Sequence, residues 1–339
     1  MSNPTVFEIC AGAGGQALGL EAAGWQHVAA IDNDPHACAT LRLNRPEWRV
    51  IESDVNHMDG TDFMGLDLLA GGVPCPPFSI AGDQLGARDE RDLFPQALRL
   101  IAEARPRAVL LENVRGFATR KFESYRSWLL AQLKDLGYLT DWRLLTASDY
   151  GVPQLRPRFV LVGLQPEDAA RFAWPLPTVR APSVGEAIGD LMASGGWLGA
   201  TKWARAANSV APTIVGGSKK HGGPDLGPTR ARAAWRTLGV DGLGVADGPP
   251  TPQHAADVLP RLTNRMIARL QGFPDEWRFS GGKTAVYRQV GNAFPPPVAR
   301  AIGVAIRDAI DGDRYPKSDV LVAQQRLFEP RRQYEAANA

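Results

Sequence analysis

The stretch FEICAGAGGQALG, residues 7–19, decides the fold, because it joins an apolar run to a glycine-rich turn and then to a helical pattern. Gly12, Gly14 and Ala17 fit G-x-G-x-x-[GA], a loop in which glycines let the backbone approach a ligand closely. A glycine near residue 24 closes the helical pattern. The stretch therefore predicts the first strand, loop and helix of a nucleotide-binding α/β sheet.

Short apolar runs alternate with helical patterns over the first 165 residues. The predicted strands are 5–10, 27–32, 66–72, 107–113 and 158–164, with a further short strand before Asp54, and the predicted helices are 14–24, 34–44, 92–104 and 122–137. This alternation predicts an α/β domain with a mostly parallel sheet.

The character of the chain changes near residue 175. Residues 176–262 are rich in Gly, Pro, Ala and Arg and show little periodicity, whereas 263–277 and 295–310 again resemble helices. We therefore predict a main domain of residues 1–175 plus 286–320, with a smaller irregular domain at 176–262 inserted before the last helix. A hinge at 263–285 and a polar tail at 321–339 complete the prediction.

Composition excludes several classes of protein. The 339 residues carry a formal charge of only +2, so a nucleic-acid partner would have to be bound by a local basic patch. Three cysteines argue against a disulfide framework, and with five histidines they show no zinc-ligand spacing. No apolar run reaches the ~18 residues of a membrane span, and the chain has no signal pattern. These features predict a soluble, cytoplasmic protein.

Two acids follow successive predicted strands. Asp32 ends the second strand, 20 residues after Gly12, which suits a pair of ribose hydroxyls. Asp54 ends the third, where a carboxylate can accept a hydrogen bond from an exocyclic adenine amine. NAD and S-adenosylmethionine both fit this pattern, so a nicotinamide oxidoreductase and a methyltransferase remain open at this point.

Further polar residues are predicted at the same rim of the sheet. Cys75 lies among stiff prolines after the fourth strand, and Glu112 ends the next apolar run. A carboxyl group partly buried at a strand end can have a raised pKa, which suits a proton donor. Arg156 and Arg158 alternate with other residues, so both could point to one side of an extended chain.

The motifs occur in one order along nearly the whole chain. The glycine loop, Asp32 and Asp54 are followed by PCPPFS, RDLF, ENV, QLRPR, RLTNRMIARLQGFPD and YRQVGN. In this combination the chain closely resembles the DNA cytosine-5 methyltransferases of the bacterial restriction-modification type. The resemblance implies the Rossmann-like fold of S-adenosylmethionine-dependent methyltransferases, with residues 176–262 as the target-recognition domain.

The resemblance also implies a role for each rim residue. Cys75 would add to carbon 6 of the target cytosine, which makes carbon 5 nucleophilic, and the flanking prolines would aim its sulfur. Glu112 would hold ring nitrogen 3 and the exocyclic amine and protonate that nitrogen. Arg158 would hold the carbonyl oxygen of the base, and Arg156 would support Glu112 or a phosphate.

The implied cofactor is S-adenosylmethionine, and the implied partner is double-stranded DNA, from which the target base is flipped. The implied cofactor-binding residues are Cys10, Ala11, Gly12, Gly14, Gly15, Asp32, Asn33, Asp54, Val55, Pro74, Leu93 and Asn292. The implied DNA-binding residues are Phe78, Ser79, Ile80, Gln84, Thr213, Lys219, Lys220, Arg230, Arg232 and Arg236. No metal is implied.

The insertion supports a DNA partner through its charge. Within residues 201–240 seven Lys or Arg residues stand against a single acid, Asp225. Such an excess is typical of a surface that faces phosphates.

One position departs from the family pattern. Cys10 stands where the family usually has phenylalanine, so the usual aromatic edge beside the cofactor is absent.

Two alternatives stay open: a tRNA cytosine-5 methyltransferase of the same fold, and a catalytically silent DNA-binding regulator. The basic insertion and PCPPFS favour a DNA enzyme, and intact Cys75, Glu112 and Arg158 argue against a silent protein. We expect a monomer that either acts alone or protects DNA beside a restriction endonuclease without forming a stable complex.

Overall fold

The computed structural model describes residues 3–74, 92–177, 180–217 and 223–312. Within them one sheet contains the strands β1 (Thr5–Ile9), β2 (Gln26–Asp32), β3 (Val50–Glu52), β4 (Leu68–Gly72), β5 (Ala108–Val114), β6 (Leu139–Thr146) and β7 (Pro157–Leu164). Their order across the sheet is β3-β2-β1-β4-β5-β7-β6. Neighbours from β3 to β5 are parallel, and β7 is antiparallel to both β5 and β6. The predicted α/β class with a mostly parallel sheet is confirmed.

The strand order creates a switch point beside β1. The chain passes from β1 to β2 and β3 on one side, and β4 then pairs with the other side of β1. Ile9 lies opposite Gly71, so the loops after β1 and β4 leave the sheet next to each other. Ligands of open α/β sheets bind outside the carboxyl ends of strands at such a point.

The helices within the described residues are α1 (Gly15–Ala22), α2 (Pro35–Asn44), α3 (Phe94–Ala104), α4 (Glu123–Asp135), α5 (Pro166–Ala169), α6 (Val184–Ala193), α7 (Ala200–Ala206), α8 (Thr229–Thr237), α9 (Asn264–Leu270), α10 (Lys283–Asn292) and α11 (Pro296–Asp311). None of these helices is long and apolar enough to span a bilayer.

Two cores cover the two faces of the sheet. Successive strand residues point to opposite faces, so Val6 packs with α1 and α11 while Phe7 packs with α3 and α4. Helices α1 and α11 approach closely at Gly19, where a Cβ atom would lie 2.4 Å from the carbonyl oxygen of Pro296. The last helix, α11, thus packs directly against α1, the helix that follows the glycine loop, as is typical of a layered α/β domain.

A third core joins the inserted region to the segment that follows it. It contains Trp203, Trp235 and Ile267, and reaches Leu41 of α2 and Tyr287 of α10. The domain boundaries at 175, 262 and 285 stay predictions, and this core extends across all three of them. The predicted tail at 321–339 lies outside the described residues.

Several elements differ from the sequence prediction. The helix predicted over 263–277 ends at Leu270, because Gly272 adopts a positive φ of 91° and Pro274 follows. Strand β6 and helices α5, α6, α7, α8 and α10 are not predicted from the sequence. The inserted region is therefore partly helical, with irregular connections.

Candidate active site

A cleft of about 320 Å³ opens at the carboxyl ends of β1, β2 and β4. Of the twelve predicted cofactor residues, those that line it are Cys10, Ala11, Gly12, Gly15, Asp32, Asn33, Asp54, Val55, Pro74, Leu93 and Asn292. Strands β1, β2 and β4 and helix α10 bring these residues together from positions up to 282 residues apart in the sequence. The cleft therefore unites most of the site that the motifs indicate.

The glycine loop has two kinds of glycine. Gly12 has a φ of 54°, and no atom lies within 4 Å of the position that a Cβ would occupy, so the space beside its backbone is open. Gly14 has φ of 84°, and its Cβ would lie 2.6 Å from Leu41 and 2.9 Å from Trp277. Gly14 does not line the cleft; its lack of a side chain instead lets the loop pack on α2 and on Trp277.

Cys10 lines the cleft and is half-buried, at a φ of 51°. Burial raises the pKa of the Cys10 thiol far above its ordinary value, and the carboxylates of Asp32, Asp54 and Glu8 act in the same direction. A thiol with so high a pKa stays protonated and is a poor nucleophile. Cys10 therefore acts as a small apolar part of the wall.

Asp32 organises the loop as well as facing the cleft. Its carboxylate accepts hydrogen bonds from the backbone N–H groups of Gly12 and Asp34, both at 2.8 Å. Asp54 begins a short 3₁₀ turn and accepts from the backbone N–H of Asn56 at 2.8 Å. Both acids thus hold backbone in place around the cleft.

Glu112 and Arg158 form a buried ion pair at one end of the cleft. Arg158 Nε lies 2.8 Å from Glu112 Oε1, and each side chain is only 9% exposed. Glu112 pairs with Gly72 of β4 on one side, and Arg158 lies two residues along the antiparallel strand on the other. Strand register therefore sets the contact.

Burial raises the pKa of Glu112, while the charges of Arg158 and then Arg156 oppose the rise. A carboxyl group with a raised pKa can carry a proton nearer neutral pH and release it to a base. The arrangement suits Glu112 as the proton donor that the motif predicts.

The neighbouring asparagine holds the end of β4. Asn113 is buried, and its Nδ2 donates to the carbonyl oxygen of Val73 at 2.7 Å. Pro74, the next residue, lines the cleft together with Glu112. Cys75 follows directly in the sequence and lies outside the described residues, as do Phe78, Ser79, Ile80 and Gln84.

Arg156 makes hydrogen bonds that the motif does not predict. Its guanidinium is completely buried and donates to the carbonyl oxygens of Ile214 and Gly291, both at 2.6 Å, and of Ala293 at 3.0 Å. Arg156 therefore neither hydrogen-bonds Glu112 nor faces a phosphate, and it acts on Glu112 through its charge alone. The predicted support of Glu112 by Arg156 stays a prediction, and the hydrogen bonds of Arg156 go instead to carbonyl groups that are distant in sequence.

The predicted DNA-binding residues of the insertion are spread over two elements. Thr213 Oγ1 donates to the carbonyl oxygen of Leu155 at 2.5 Å. Arg230 and Arg236 are exposed on α8, while Arg232 is half-buried. At 100° per residue Arg230 lies on the opposite side of α8 from the other two, so the three cannot form one face. Lys219 and Lys220 lie outside the described residues.

Several residues of the cleft are not predicted from the sequence: Glu8, Ala13, Gln16, Asp34, Ala37, Ser53, Gly72, Arg288, Gln289, Ala293 and Phe294. Arg288 could have been found, because it precedes Asn292 by four residues in YRQVGN and so shares its helix face. It pairs with Asp34 at 3.2 Å. Among the described residues no cluster of acids, histidines and cysteines could hold a metal ion.

Comparison with known proteins agrees with this geometry. Residues 5–308 match the family model of the C-5 cytosine-specific DNA methylases. The chain is 59% identical over 315 residues to the Type II methyltransferase M.NaeI of Lentzea aerocolonigenes, covering 92% of this chain and 76% of that protein. It is 53% identical to the Type II methyltransferase M.NgoMIV of Neisseria gonorrhoeae, covering 90% of this chain and 98% of that protein.

Solved structures show the same fold at low sequence identity. The methyltransferase EhMeth of Entamoeba histolytica superposes with a TM-score of 0.65 at 15% identity, covering 91% of this chain and 99% of that one. A mutant DNMT2 of Spodoptera frugiperda gives a TM-score of 0.63 at 17% identity, covering 90% and 99%.

Proposed function

Because the chain belongs to the C-5 cytosine-specific DNA methylase family, and is a DNA (cytosine-5) methyltransferase, we propose that it methylates carbon 5 of a target cytosine by way of a covalent adduct with Cys75. The buried Glu112–Arg158 pair supports this proposal, because Glu112 lines the cleft, burial raises its pKa, and the Arg158 guanidinium lies 2.8 Å from its carboxylate. The family match favours DNA over the tRNA alternative.

The cleft suits S-adenosylmethionine as the methyl donor. Gly12 leaves open space for close approach of a ligand, and Asp32 and Asp54 lie at the carboxyl ends of neighbouring strands to meet ribose hydroxyls and an adenine amine. The carboxylates lie within a cleft of about 320 Å³, a size in the range of small-molecule sites. When bound there, this cofactor supplies an electrophilic methyl group.

The protein side chains make the cytosine reactive. The Cys75 thiolate forms a bond to carbon 6, and Glu112 gives its proton to ring nitrogen 3, so the adduct is a neutral enamine with a nucleophilic carbon 5 rather than an anion. Arg158 holds the carbonyl oxygen and, as a fixed cation, keeps the Glu112 carboxylate in place once its proton has left. After carbon 5 has gained the methyl group, loss of its proton to a base and departure of the thiolate restore the aromatic ring, and nitrogen 3 returns its proton to the Glu112 carboxylate.

The target base must leave the DNA stack to reach this cleft, which costs a few kcal/mol. We propose that the insertion at 176–262 grips double-stranded DNA around the flipped base. Its excess of basic residues supports this role, with arginines able to read guanine and lysines acting as point charges on phosphates.

We further propose a role in restriction-modification. The two relatives named above are Type II methyltransferases. A matching restriction endonuclease would act on the same DNA site without forming a stable complex with this protein. The alternative is a solitary methylase that acts without an endonuclease. Cys75, Glu112 and Arg158 all lie in one chain, so a monomer supplies the side chains named above.

The covalent step can be tested directly. A duplex carrying 5-fluorocytosine at the target, incubated with the protein and S-adenosylmethionine, should give an SDS-resistant complex, because fluorine cannot leave carbon 5 as a cation. Cys75→Ser should bind the duplex without forming the complex. Sequencing of DNA methylated by the protein would supply the target. If ordinary DNA is methylated while the fluorinated duplex gives no complex, the mechanism is wrong.

A further inference from the structure

The segment 211–217 belongs to the inserted region but lies along the catalytic domain. The backbone N–H of Ala211 donates to the carbonyl oxygen of Pro153 at 2.9 Å, and that of Leu155 donates to Ala211 at 2.7 Å. Thr213 adds the side-chain bond to Leu155 described above. The segment thus pairs with the chain just before the catalytic Arg158.

Two fully buried side chains hold the middle of this segment. Gln154 Oε1 accepts from the backbone N–H of Ile214 at 2.9 Å, while Arg156 Nη1 donates to its carbonyl oxygen at 2.6 Å. Gln154 Nε2 also donates to Gln271 Oε1 at 2.7 Å, and Gln271 Nε2 donates to Ala293 at 2.6 Å. A connected buried network of this kind favours one arrangement of the segments it joins.

The end of the segment touches the wall of the cofactor cleft through bare backbone. A Cβ at Gly291 would lie 2.5 Å from the Cα of Gly216, so the two glycines meet without side chains between them. A Cβ at Gly216 would lie 2.5 Å from Asn292 Oδ1 and 2.7 Å from the carbonyl oxygen of Arg288. Asn292 and Arg288 line the cleft, whereas Gly216 does not.

We propose that Gly216 is a positioning residue that couples DNA binding by the insertion to cofactor binding in the cleft. A shift of the segment 211–217 on DNA binding moves Asn292 and Arg288 directly, because no side chain at Gly216 or Gly291 can absorb it. The coupling is reciprocal, so each ligand strengthens the other by the same factor. This inference rests on the proposed cofactor and on the proposed DNA contact of the insertion.

The test measures the affinity for S-adenosylhomocysteine without DNA and with DNA, and the coupling factor is the ratio of the two. Calorimetry would give the Kd of S-adenosylhomocysteine with and without a short duplex carrying the site found by methylation sequencing. The wild-type protein should bind S-adenosylhomocysteine at least about fivefold more tightly with the duplex, the low end of usual coupling. Gly216→Ala should weaken binding of S-adenosylhomocysteine alone and reduce the coupling factor to near one.

Gly223→Ala is the matched control. Gly223 lies in the same inserted region, is exposed, and has no atom within 4 Å of the position that a Cβ would occupy. This variant should keep both the affinity and the coupling factor of the wild type. Thr213→Val provides a milder change that removes one hydrogen bond of the segment without adding atoms at the cleft, and it should lower the coupling factor while urea unfolding stays near that of the wild type.

Three outcomes would overturn the inference. Gly216→Ala could bind S-adenosylhomocysteine as tightly as the wild type, or lose affinity for both ligands with an unchanged coupling factor. If Gly216→Ala does not fold, an unchanged coupling factor in Thr213→Val decides against the inference. A wild-type protein that methylates DNA but does not bind S-adenosylhomocysteine would instead refute the proposed cofactor.

Discussion

Replacing Arg158 by methionine tests the electrostatics on which Glu112, the proposed proton donor, depends. The substitution removes the guanidinium nitrogen that lies 2.8 Å from Glu112 and leaves an unbranched apolar chain in its place. Both partners are 9% exposed, so water cannot fully replace the lost cation. Removing one partner of a buried pair usually costs about 3–5 kcal/mol, and we expect a loss of that size in the free energy of unfolding at pH 8.

The loss should depend on pH in a defined direction. Burial already raises the pKa of Glu112 above its ordinary value of 4.5, and the charge of Arg158 opposes that rise. A carboxyl group whose pKa is raised by folding contributes stability that is fully present below its unfolded pKa and lost as pH rises through its folded pKa. Without Arg158 the folded pKa rises further, so the deficit of the variant should be small near pH 4.5. The deficit in the free energy of unfolding should then grow as pH rises, by at most about 1.4 kcal/mol per pH unit.

Urea unfolding between pH 5 and 8, followed by tryptophan fluorescence, measures this deficit against the wild type. The control is Arg158→Met combined with Glu112→Gln, which has no carboxyl to titrate at this position. Measured against Glu112→Gln alone, which also lacks that carboxyl, its deficit should be independent of pH, and at pH 8 it should be smaller than the deficit of Arg158→Met against the wild type. If the deficit of Arg158→Met is the same at every pH, Glu112 does not change protonation in this range, and the reasoning that makes it the proton donor fails.

Two further predictions concern catalysis and cofactor binding. Glu112→Gln should lower the single-turnover rate of methyl transfer by about 10²–10⁴, the usual contribution of general acid catalysis. Affinity for the duplex and for S-adenosylhomocysteine should be kept, and a rate within threefold of the wild type would contradict the role. Asp32→Ala removes the acceptor of two backbone hydrogen bonds of the glycine loop region. It should weaken S-adenosylhomocysteine binding about tenfold or more, since a charged hydrogen bond is worth roughly 1.5–3 kcal/mol. The control is Asp59→Ala, which removes a carboxylate that accepts a backbone hydrogen bond at a turn outside the cleft, and this variant should bind S-adenosylhomocysteine normally in the same calorimetry. Equal losses of affinity in both variants would show that Asp32 acts only on general stability.

The parts of the site that the sequence predicts are those with local signals. The glycine loop, Asp32 and Asp54 each follow an apolar run, and parallel strands bring their carboxyl ends to one rim whatever the rest of the chain does. Strand β6 gives no comparable signal, because it lies at the sheet edge and only one of its residues is fully buried. Helices α6 and α8 bury their apolar faces in the third core, which forms only when distant segments meet.

Arg156 and Arg158 show that contacts between distant segments cannot be predicted from the local sequence pattern. Alternation along QLRPR places both on one side of an extended chain, yet only Arg158 meets Glu112, because strand register sets it diagonally across from β5. The partners of Arg156 are Ile214 and Gly291, which are 58 and 135 residues away in the sequence. A buried guanidinium needs acceptors, and here backbone carbonyls of the insertion and of α10 supply them. The residue that the motif assigns to chemistry thereby joins the region proposed to hold DNA to the wall of the cleft proposed to hold the cofactor.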